Sequence, residues 1–437
     1  MTWNEDAAQS LVETFDGALG APGAVTAAAC TDETGTAIQV SPADAPADGR
    51  FEIGSVTKTM TATLLALLEA DGRLLLDDQA GHWLSAGANG AITLRQLATH
   101  TSGLPRLAPN LDLSTVDRAN PYAGFGFEQA EEGLRQAVLA PNHPHLYSNF
   151  GYQLLGLVVE RASGHSYQNL ITEWLLKPLA MTCSGVDSSG AGIRLPGHAR
   201  GGEVPHWDHP LSGAGGVEAT ISDLAAYARA CLYSPRTPLG AAIAAAQEPQ
   251  VPIGNGRHQA LAWQVRDYGI RVHGGGTGGF SSAVLIDAGR GRAVAMLASC
   301  GGSAEALGQA AMLALADDDP RTARPQPPGP EWDERAREII RLLLDGRAAD
   351  VHARMSPSSQ GLVSAEQLDR AWQARTRDLG PAGEVSIDCL RPSGRVVADA
   401  RIAFARGTLA LRIGFYPSGQ IAGIRVLPEE KPSPLPD

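Results

Sequence analysis

Basic residues are scarce relative to acidic residues in this sequence. The 437 residues include 35 lysines and arginines against 47 aspartates and glutamates, which gives a formal net charge of −12. A protein that neutralises nucleic-acid phosphates needs clustered lysine and arginine side chains. The charge balance therefore predicts that nucleic acid is not a partner.

Long apolar runs are missing as well, and so are the marks of an export signal. No segment approaches the roughly 18 consecutive apolar residues that a membrane-spanning helix requires. The amino terminus, MTWNEDAAQSLVETFDGALG, has early acidic residues and no basic start, continuous apolar core or small-residue cleavage site. Its apolar residues Leu11, Val12, Phe15 and Leu19 fall at helical spacing instead. We therefore expect an amphipathic first helix, no membrane span and a cytoplasmic location.

Cysteine is rare, and its pattern suits neither a disulfide framework nor a metal site. The five cysteines are odd in number and scattered, with no C-x-x-C pair, so we expect buried thiols in a reducing compartment. Trp207 is expected either to line an acyl pocket or to cover the core. Five histidines have no metal-ligand spacing with a third partner and are expected to be structural or to line a cleft: His100, His143, His145, His206 and His209. The sequence predicts neither a metal nor an organic cofactor.

Proline, glycine and charged residues bunch between periodic segments at one place, DDDPRTARPQPPGP, over residues 317–330. With 43% hydrophobic and 19% charged residues, the chain can bury a sizeable core on either side of this segment. The sequence therefore predicts a first domain over residues 1–316, a linker over 317–330 and a small α+β domain over 331–437.

The elements predicted before the linker indicate an α+β fold. β-like runs lie near both ends of the first domain, over residues 23–30, 36–40, 50–54, 258–265, 270–274, 281–287 and 292–298. The long stretch between them is mainly helical in pattern. We expect an antiparallel sheet that the two ends of the domain close, with a helical region alongside. After the linker, two amphipathic helical stretches precede four strand-like runs, which predicts helices followed by a four-strand meander.

The first motif with chemical content is Ser55-Val56-Thr57-Lys58, between a short strand and a helical stretch over 59–72. A serine at a helix start has its Oγ near free backbone N–H groups, and a lysine three positions later lies on the same face. Such a pair can act as a nucleophile and its base, provided that burial or nearby cations keep the lysine neutral. Taken alone, the motif also fits an ordinary serine helix cap.

Two further motifs follow in the chain. Tyr147-Ser148-Asn149 comes directly before another apolar-periodic helix, where the phenol can relay a proton and the amide can bind a carbonyl. Taken alone, this motif is better explained by a packed tyrosine and an asparagine helix cap. The run from His273 to Gly279 contains consecutive glycines, which let a backbone N–H approach a ligand and join an oxyanion hole. A flexible turn is the alternative.

Taken together, the three motifs resemble those of the serine β-lactamase-related family, which includes class C β-lactamases, DD-peptidases, D-aminopeptidases, family VIII esterases and related acyltransferases. The resemblance extends to four blocks, FEIGSVTKTMTATLLALLEADGRLLLDD, ITLRQLATHTSGLP, YSNFGYQLLGLVVERASG and GAGGVEATISDLAAYARA. It implies a β-lactamase/transpeptidase-like domain, with a central antiparallel sheet flanked by helices and a helical subdomain. The tail from residue 331 is similar to small domains appended to some such hydrolases.

The resemblance also implies roles for individual residues. Ser55 would be the nucleophile, Lys58 the base that activates it, Tyr147 the partner that shuttles protons and Asn149 the residue that positions the acyl group. The substrate would be a small-molecule or peptidyl acyl compound, which could be carrier-bound.

In the third motif, His273 stands where β-lactamases and transpeptidases usually have lysine. Gly275 and Gly276 would bind substrate, with the N–H groups of Ser55 and Gly276 forming the oxyanion hole. An unperturbed histidine is mostly neutral at pH 7, so a substrate carboxylate would be held less firmly than by lysine. We therefore expect slow turnover of β-lactams at most.

The function implied by the resemblance is that of a serine hydrolase. Ser55 would attack an ester, thioester or amide carbonyl, including that of a peptide with D-amino acids, and water would resolve the acyl-enzyme. In a first alternative, an amine or alcohol resolves it, as in acyltransferases and peptide-cyclising thioesterases of the penicillin-binding-protein type. In a second alternative, the chain is a non-catalytic binding or sensor protein with the same fold. The sequence does not indicate an oligomeric state.

Overall fold

The computed structural model describes residues 2–426 apart from 16–18, 20, 113–115, 118, 187–189, 200–201, 235–236, 238, 255, 319, 321–329, 356, 361–362, 391–395 and 417–418. The chain divides into two compact units, Met1–Arg324 and Pro325–Asp437. Of the linker predicted over 317–330, residues 319 and 321–329 lie outside the described residues, so the domain boundaries stay a prediction.

The first unit combines helices with a large sheet. Its helices are α1 (Trp3–Phe15), α2 (Thr57–Ala70), α3 (Leu94–Ala98), α4 (Phe127–Gln136), α5 (Asn149–Ser163), α6 (Tyr167–Ile171), α7 (Ile221–Leu232), α8 (Gly240–Gln247) and α9 (Ala304–Leu315). Its strands are β1 (Thr26–Asp32), β2 (Gly35–Ser41), β3 (Gly49–Glu52), β4 (Gly185–Val186), β5 (Ile193–Arg194), β6 (Gly197–Ala199), β7 (Gly202–Val204), β8 (Val217–Ala219), β9 (Val251–Gly254), β10 (Arg257–Gln259), β11 (Gln264–Val265), β12 (Arg271–Gly276), β13 (Ser281–Asp287) and β14 (Arg292–Ala298).

The two ends of this unit close one antiparallel sheet, as predicted. Its eight strands have the order β2-β1-β14-β13-β12-β11-β10-β9, so the amino-terminal strands pair directly with the carboxy-terminal ones. Side chains alternate across β13: Val284 and Ile286 join the core shared with the helical region, whereas Ala283 and Leu285 join a second core with α1 and α9. The sheet is therefore buried on both faces.

Three expectations about the strands were wrong in detail. The run over 50–54 was expected in the central sheet, but β3 belongs to a separate four-stranded sheet of order β4-β8-β3-β5. The run over 258–265 forms two short strands, because the chain turns at Ala262, which has a φ of +65°. The middle of the unit also contains strands β4 to β9 besides its helices. These strands are short, and their pairing depends on distant partners that a local pattern does not contain.

The second unit has helices followed by a meander, as predicted. It contains α10 (Pro330–Leu344), α11 (Ala348–Ala353), α12 (Pro357–Gln360), α13 (Ala365–Thr376), β15 (Ala382–Leu390), β16 (Val396–Phe404), β17 (Gly407–Phe415) and β18 (Ile421–Val426). The strands pair in chain order, all antiparallel. Their alternating apolar side chains form a separate core with α10.

Two expectations about composition can be compared with the structure. All five cysteines are thiols, of which Cys30, Cys231 and Cys300 are buried and Cys183 and Cys389 are half-buried. Within the described ranges, none of the helices combines the length and the apolar character that crossing a membrane requires.

Candidate active site

Ser55 lies in a tight turn between a strand and a helix, as the sequence predicts. Strand β3 ends at Glu52, a 3₁₀ turn covers Gly54–Val56, and α2 follows directly. Gly54 has a φ of +48°, a conformation that glycine adopts without strain. A Cβ atom at Gly54 would lie 2.7 Å from the backbone nitrogen of Gly276. The glycine therefore lets the Ser55 turn pack directly against β12.

The side chain of Lys58 reaches Ser55 from one helical turn further along α2. Its Nζ donates to the Ser55 Oγ at 2.8 Å and to the carbonyl oxygen of Ala214 at 2.6 Å. The residue is completely buried. Burial, and then the positive charge of Arg106, hold the pKa of Lys58 well below its usual range. A neutral amine at this place can accept the proton of the serine hydroxyl.

Tyr147 is fixed by the start of α5. The Oγ of Ser148 caps the helix by accepting from the backbone N–H of Gly151 at 2.9 Å, and it donates to the carbonyl of Pro105 at 2.7 Å. Burial raises the pKa of Tyr147 to about 12, although a hydrogen bond with Ser55 lowers it. The phenol is therefore protonated at neutral pH and able to pass a proton on.

His100 holds the backbone on both sides of Tyr147. Its Nδ1 accepts from the N–H of Ser148 at 3.1 Å, and its carbonyl oxygen accepts from the N–H of Leu146 at 2.8 Å. The two aromatic rings lie 4.5 Å apart between centroids. His100 has a φ of +58°, which is unusual for a residue other than glycine. These contacts give His100 the structural position expected from the sequence, as a residue that positions the tyrosine.

Asn149, the first residue of α5, lines the cavity and has an unsatisfied side-chain oxygen. Its Nδ2 lies 3.4 Å from the Oη of Tyr122, and its buried Oδ1 has no hydrogen-bond partner in the described part of the chain. Tyr122 in turn stacks on His209 at 5.5 Å between ring centroids. A buried acceptor without a hydrogen-bond partner costs free energy, so packing alone does not account for an asparagine at this position.

The glycine strand β12 forms the opposite side of the site. A side chain at Gly275 would collide with the carbonyl of Ile53 and would lie 3.0 Å from the backbone nitrogen of Ser55. Buried His273 donates from Nδ1 to the carbonyl of Gly274 at 2.8 Å. Burial, and then the charge of Lys58, lower the pKa of His273 to about 3. This histidine is therefore neutral at pH 7.

One cavity of about 840 Å³ brings the predicted site residues together. Lys58 is not in its lining, but contacts it through the hydrogen bond to Ser55. Trp207, for which the sequence left two roles open, lines the cavity. The predicted residues that line it are Ser55, Tyr147, Asn149, His273, Gly275 and Gly276.

Among the cavity residues that sequence reasoning missed, Arg106 and Tyr122 lie nearest to the predicted groups. The guanidinium of Arg106 lies 5.2 Å from the centroid of the Tyr147 ring. Its place directly after the block THTSGLP is the one signal that could have indicated a role. Tyr122 lies in a long loop between α3 and α4, and nothing in its sequence surroundings indicates that it approaches Asn149.

A second group of polar side chains lies on the β3 sheet. Among the described residues, Glu52, His206 and Glu218 have potential ligand atoms within 4.8 Å of one another. However, Arg50 and Arg194 lie 3.5 Å and 2.5 Å from the Glu218 carboxylate, and the His206 ring contacts Glu52 at 2.7 Å. Both guanidinium groups pair with Glu218 and the His206 ring pairs with Glu52, so the arrangement is that of an ion-pair network rather than of a metal centre.

The sequence profile of the Beta-lactamase family matches residues 8–318, more than half of the chain. A protein named Beta-lactamase from Pseudomonas fluorescens is 28% identical over 242 residues, covering 51% of this chain and 62% of that protein. The D-alanyl-D-alanine-carboxypeptidase/endopeptidase AmpH of Escherichia coli (strain K12) is 33% identical over 187 residues, covering 40% of this chain and 47% of that protein. The chain thus spans less than two thirds of the length of either relative.

Among solved structures, one described as a class C beta-lactamase is similar to this chain with a TM-score of 0.59. The sequence identity is 20%, and the match covers 68% of this chain and 92% of that structure. The likeness confirms the fold predicted from the sequence. Together with the profile match, it shows that the chain belongs to the beta-lactamase family of serine hydrolases and penicillin-binding-protein-like enzymes.

Proposed function

We propose that this protein is a serine hydrolase that forms an acyl-enzyme on Ser55 with ester, thioester or amide substrates. The observation that carries the proposal is the 2.8 Å hydrogen bond between Lys58 Nζ and Ser55 Oγ at the edge of the cavity. A lysine whose pKa is lowered by burial and that contacts a cavity-lining serine is a nucleophile and base pair.

The reaction would proceed in two halves. Lys58 takes the proton of the Ser55 hydroxyl as Oγ attacks the carbonyl carbon, and the N–H groups of Ser55 and Gly276 stabilise the oxyanion. Tyr147, protonated and hydrogen-bonded to Ser55, passes a proton to the leaving alcohol, thiol or amine. Water then attacks the acyl-enzyme and gives a proton to the Tyr147 phenolate, and Lys58 returns its proton to the Ser55 Oγ as the acid leaves.

The neutral His273 limits the substrates that we propose. With a pKa of about 3, it supplies no positive charge for the carboxylate of a β-lactam. We therefore expect nitrocefin to be hydrolysed far more slowly than a neutral ester of similar reactivity. Rapid nitrocefin turnover, at a rate matching that of the ester, would contradict this assignment of His273.

Acyl transfer is the second candidate, and the size of the cavity favours it. A volume of about 840 Å³ leaves room for an amine or alcohol beside a bound acyl group. Such an acceptor would resolve the acyl-enzyme in place of water, giving an amide, an ester or a cyclic peptide. A carrier-bound donor and a cytoplasmic location remain predictions from the sequence.

Product analysis by mass spectrometry tests both candidates. The wild type and Ser55→Ala are incubated with acyl esters and peptidyl thioesters, with and without an amine acceptor. Acid formed by the wild type and lost in Ser55→Ala supports hydrolysis, whereas amide or macrocycle that outpaces acid supports transfer. Ser166→Ala is the matched control, because it removes a serine that caps α6 and does not line the cavity.

A fluorophosphonate probe separates enzyme from binding protein. The proposal predicts labelling of the wild type and of Ser166→Ala, and none of Ser55→Ala. If the wild type is not labelled and forms no product, the acyl-enzyme proposal fails and the non-catalytic alternative takes its place.

A further inference from the structure

The cavity beside Ser55 continues well beyond the groups that the proposed reaction uses. Its lining passes from Ser55 along β12 to Val272, and ends on Met312 and Leu313 near the carboxy end of α9. Val272 belongs to the core that the large sheet shares with α1 and α9, and the half-buried Met312 and Leu313 pack against that core. We call this part of the cavity, between β12, β13 and α9, the α9 chamber.

A glycine inside α9 keeps the chamber open. Gly308 lies in the middle of the helix and lines the cavity, and a Cβ atom at this position would meet nothing within 4 Å. Glycine is the least favourable helix residue after proline, so packing and helix propensity alone would favour alanine here. The position therefore has space for a side chain, and glycine leaves that space unfilled.

A second glycine opens the passage from Ser55 to the chamber. Gly274 follows His273 on β12, and a Cβ atom there would lie 3.7 Å from the carbonyl oxygen of Ser282 and 4.0 Å from the Cβ of Ala304. These are ordinary contact distances, so no clash requires glycine. Because Gly274 has no side chain, the space between β12 and the start of α9 stays clear.

The chamber is apolar inside and polar at its rim. The inner lining consists of Val272, Ala283, Leu285, Met312 and Leu313. The side chains of Arg266, Glu305 and Gln309 are exposed and lie where the cavity meets solvent. From Ala304 to Met312 the wall of α9 is about 12 Å long at about 1.5 Å per residue. Extended chains cover about 3.3–3.6 Å per three bonds, so a chain of about ten bonds, or about eleven carbons, fits this length.

We propose that the α9 chamber binds an unbranched aliphatic chain of the substrate while the scissile carbonyl lies at Ser55. The proposal rests on the proposed function for the position of the carbonyl, and names the substrate class as medium-chain acyl compounds. The chain could belong to the acyl group or to the leaving group, because both extend from the same carbonyl carbon.

Two series of esters test the proposal on the active enzyme. In one, the acyl group grows from two to ten carbons on a constant alcohol; in the other, the alcohol grows on a constant acetyl group. We expect kcat/KM to rise with chain length in one of the two series, by up to about fourfold per methylene. This factor corresponds to about 0.8 kcal/mol for each buried CH₂ group. The series that rises identifies the group in the chamber, and a flat response in both overturns the proposal.

Filling the chamber tests its position. Gly308→Leu should abolish the dependence on length, lowering kcat/KM for the eight-carbon substrate at least tenfold and for the two-carbon substrate less than twofold. Gly308→Ala is the matched control, because it adds one methyl group in open space and should keep most of the dependence. Equal losses for short and long substrates in Gly308→Leu would contradict the proposal.

Binding to Ser55→Ala separates this inference from the proposed function. By calorimetry, octanoate should bind this variant at least tenfold more tightly than butyrate. Adding Gly308→Leu or, if that variant does not fold, Gly274→Val should remove the difference. If octanoate gains nothing over butyrate, the chamber proposal fails even if short esters are hydrolysed. If the gain is present but the wild type forms no acyl-enzyme, the chamber is supported and the proposed function fails.

Discussion

At the scale of single residues, the site depends on a lysine without its usual solvation. Lys58 is fully buried, and its Nζ contacts one hydroxyl and one carbonyl rather than a carboxylate. A buried ammonium ion is costly, so burial favours the neutral amine. Arg106 adds to this effect from the cavity side, because a second positive charge further disfavours the protonated lysine.

Arg106→Gln should therefore shift the pH dependence of the reaction. Removing the guanidinium raises the pKa of Lys58, so a smaller fraction is neutral at a given pH and the acidic limb of the kcat/KM profile moves to higher pH. The profile is measured with a neutral ester, so that the arginine has no substrate charge to bind.

Arg229→Gln is the matched control for Arg106→Gln. Arg229 also lies over a tyrosine ring, 5.3 Å from the centroid of Tyr233, but does not line the cavity. Its replacement should leave the acidic limb of the kcat/KM profile at the same pH as in the wild type. A limb that stays in place or moves to lower pH in Arg106→Gln would contradict the electrostatic role.

At the scale of elements, the site is assembled by contact between a turn and a strand. The turn Gly54–Val56 presents Ser55, and β12 presents Gly275 and Gly276, whose backbone lies against the turn. The two elements are far apart in the sequence, and the absence of side chains at Gly54 and Gly275 lets them approach. Backbone N–H groups can form an oxyanion hole at such a contact because nothing bulky separates them.

Gly54→Ala should break this contact. The added Cβ would lie 2.7 Å from Gly276 N and 2.9 Å from Gly276 O, and the φ of +48° is strained for alanine. We expect a destabilisation of about 1–3 kcal/mol and a loss of at least 100-fold in kcat, because an oxyanion donor is typically worth that much.

Gly72→Ala is the control for backbone strain. Gly72 follows α2 with a φ of +70°, and a Cβ atom there would meet nothing within 4 Å. Its replacement should destabilise the protein by a similar strain energy, seen in urea unfolding, and leave kcat within twofold. If Gly54→Ala keeps near wild-type kcat, the turn and the strand do not form the oxyanion hole.

At the scale of the whole molecule, the first unit buries several histidines in the neutral form. Burial lowers the pKa of His100 well below its usual range, that of His209 to about 4 and that of His273 to about 3. In the unfolded chain these side chains take up protons near pH 6.5. Below that pH the unfolded state therefore binds more protons than the native state, and stability falls as the pH falls.

His273→Gln should make the first unit less sensitive to acid. Between about pH 6.5 and pH 3, the buried neutral His273 reduces the free energy of unfolding by about 1.4 kcal/mol per pH unit. The variant has one such group fewer, so its curve of stability against pH should be flatter than that of the wild type by about that slope. Urea titrations at pH 7, 6 and 5 measure the difference, and parallel curves would show that His273 is not buried in the neutral form.

The sequence by itself determined the local parts of this protein. Strands β13 and β14 lie where short apolar β-like runs predict them, and the carboxy-terminal meander follows its four strand-like runs. The Ser55 and Lys58 pair needed no distant partner, because residues three apart on a helix share a face. The capped start of α5 after Tyr147 is likewise set by neighbouring residues.

The tertiary structure decided what these local parts meet. It places β3 in a separate sheet and not, as expected from the sequence, in the large one. It also brings Arg106 and Tyr122 into the cavity and forms the α9 chamber beside Gly274 and Gly308. None of these features is visible in a local pattern, because each depends on which distant surfaces pack together. The sequence shows where the glycines are but not what surrounds them. Only the packing of β12 against α9 leaves a chamber beside Ser55 at these glycines.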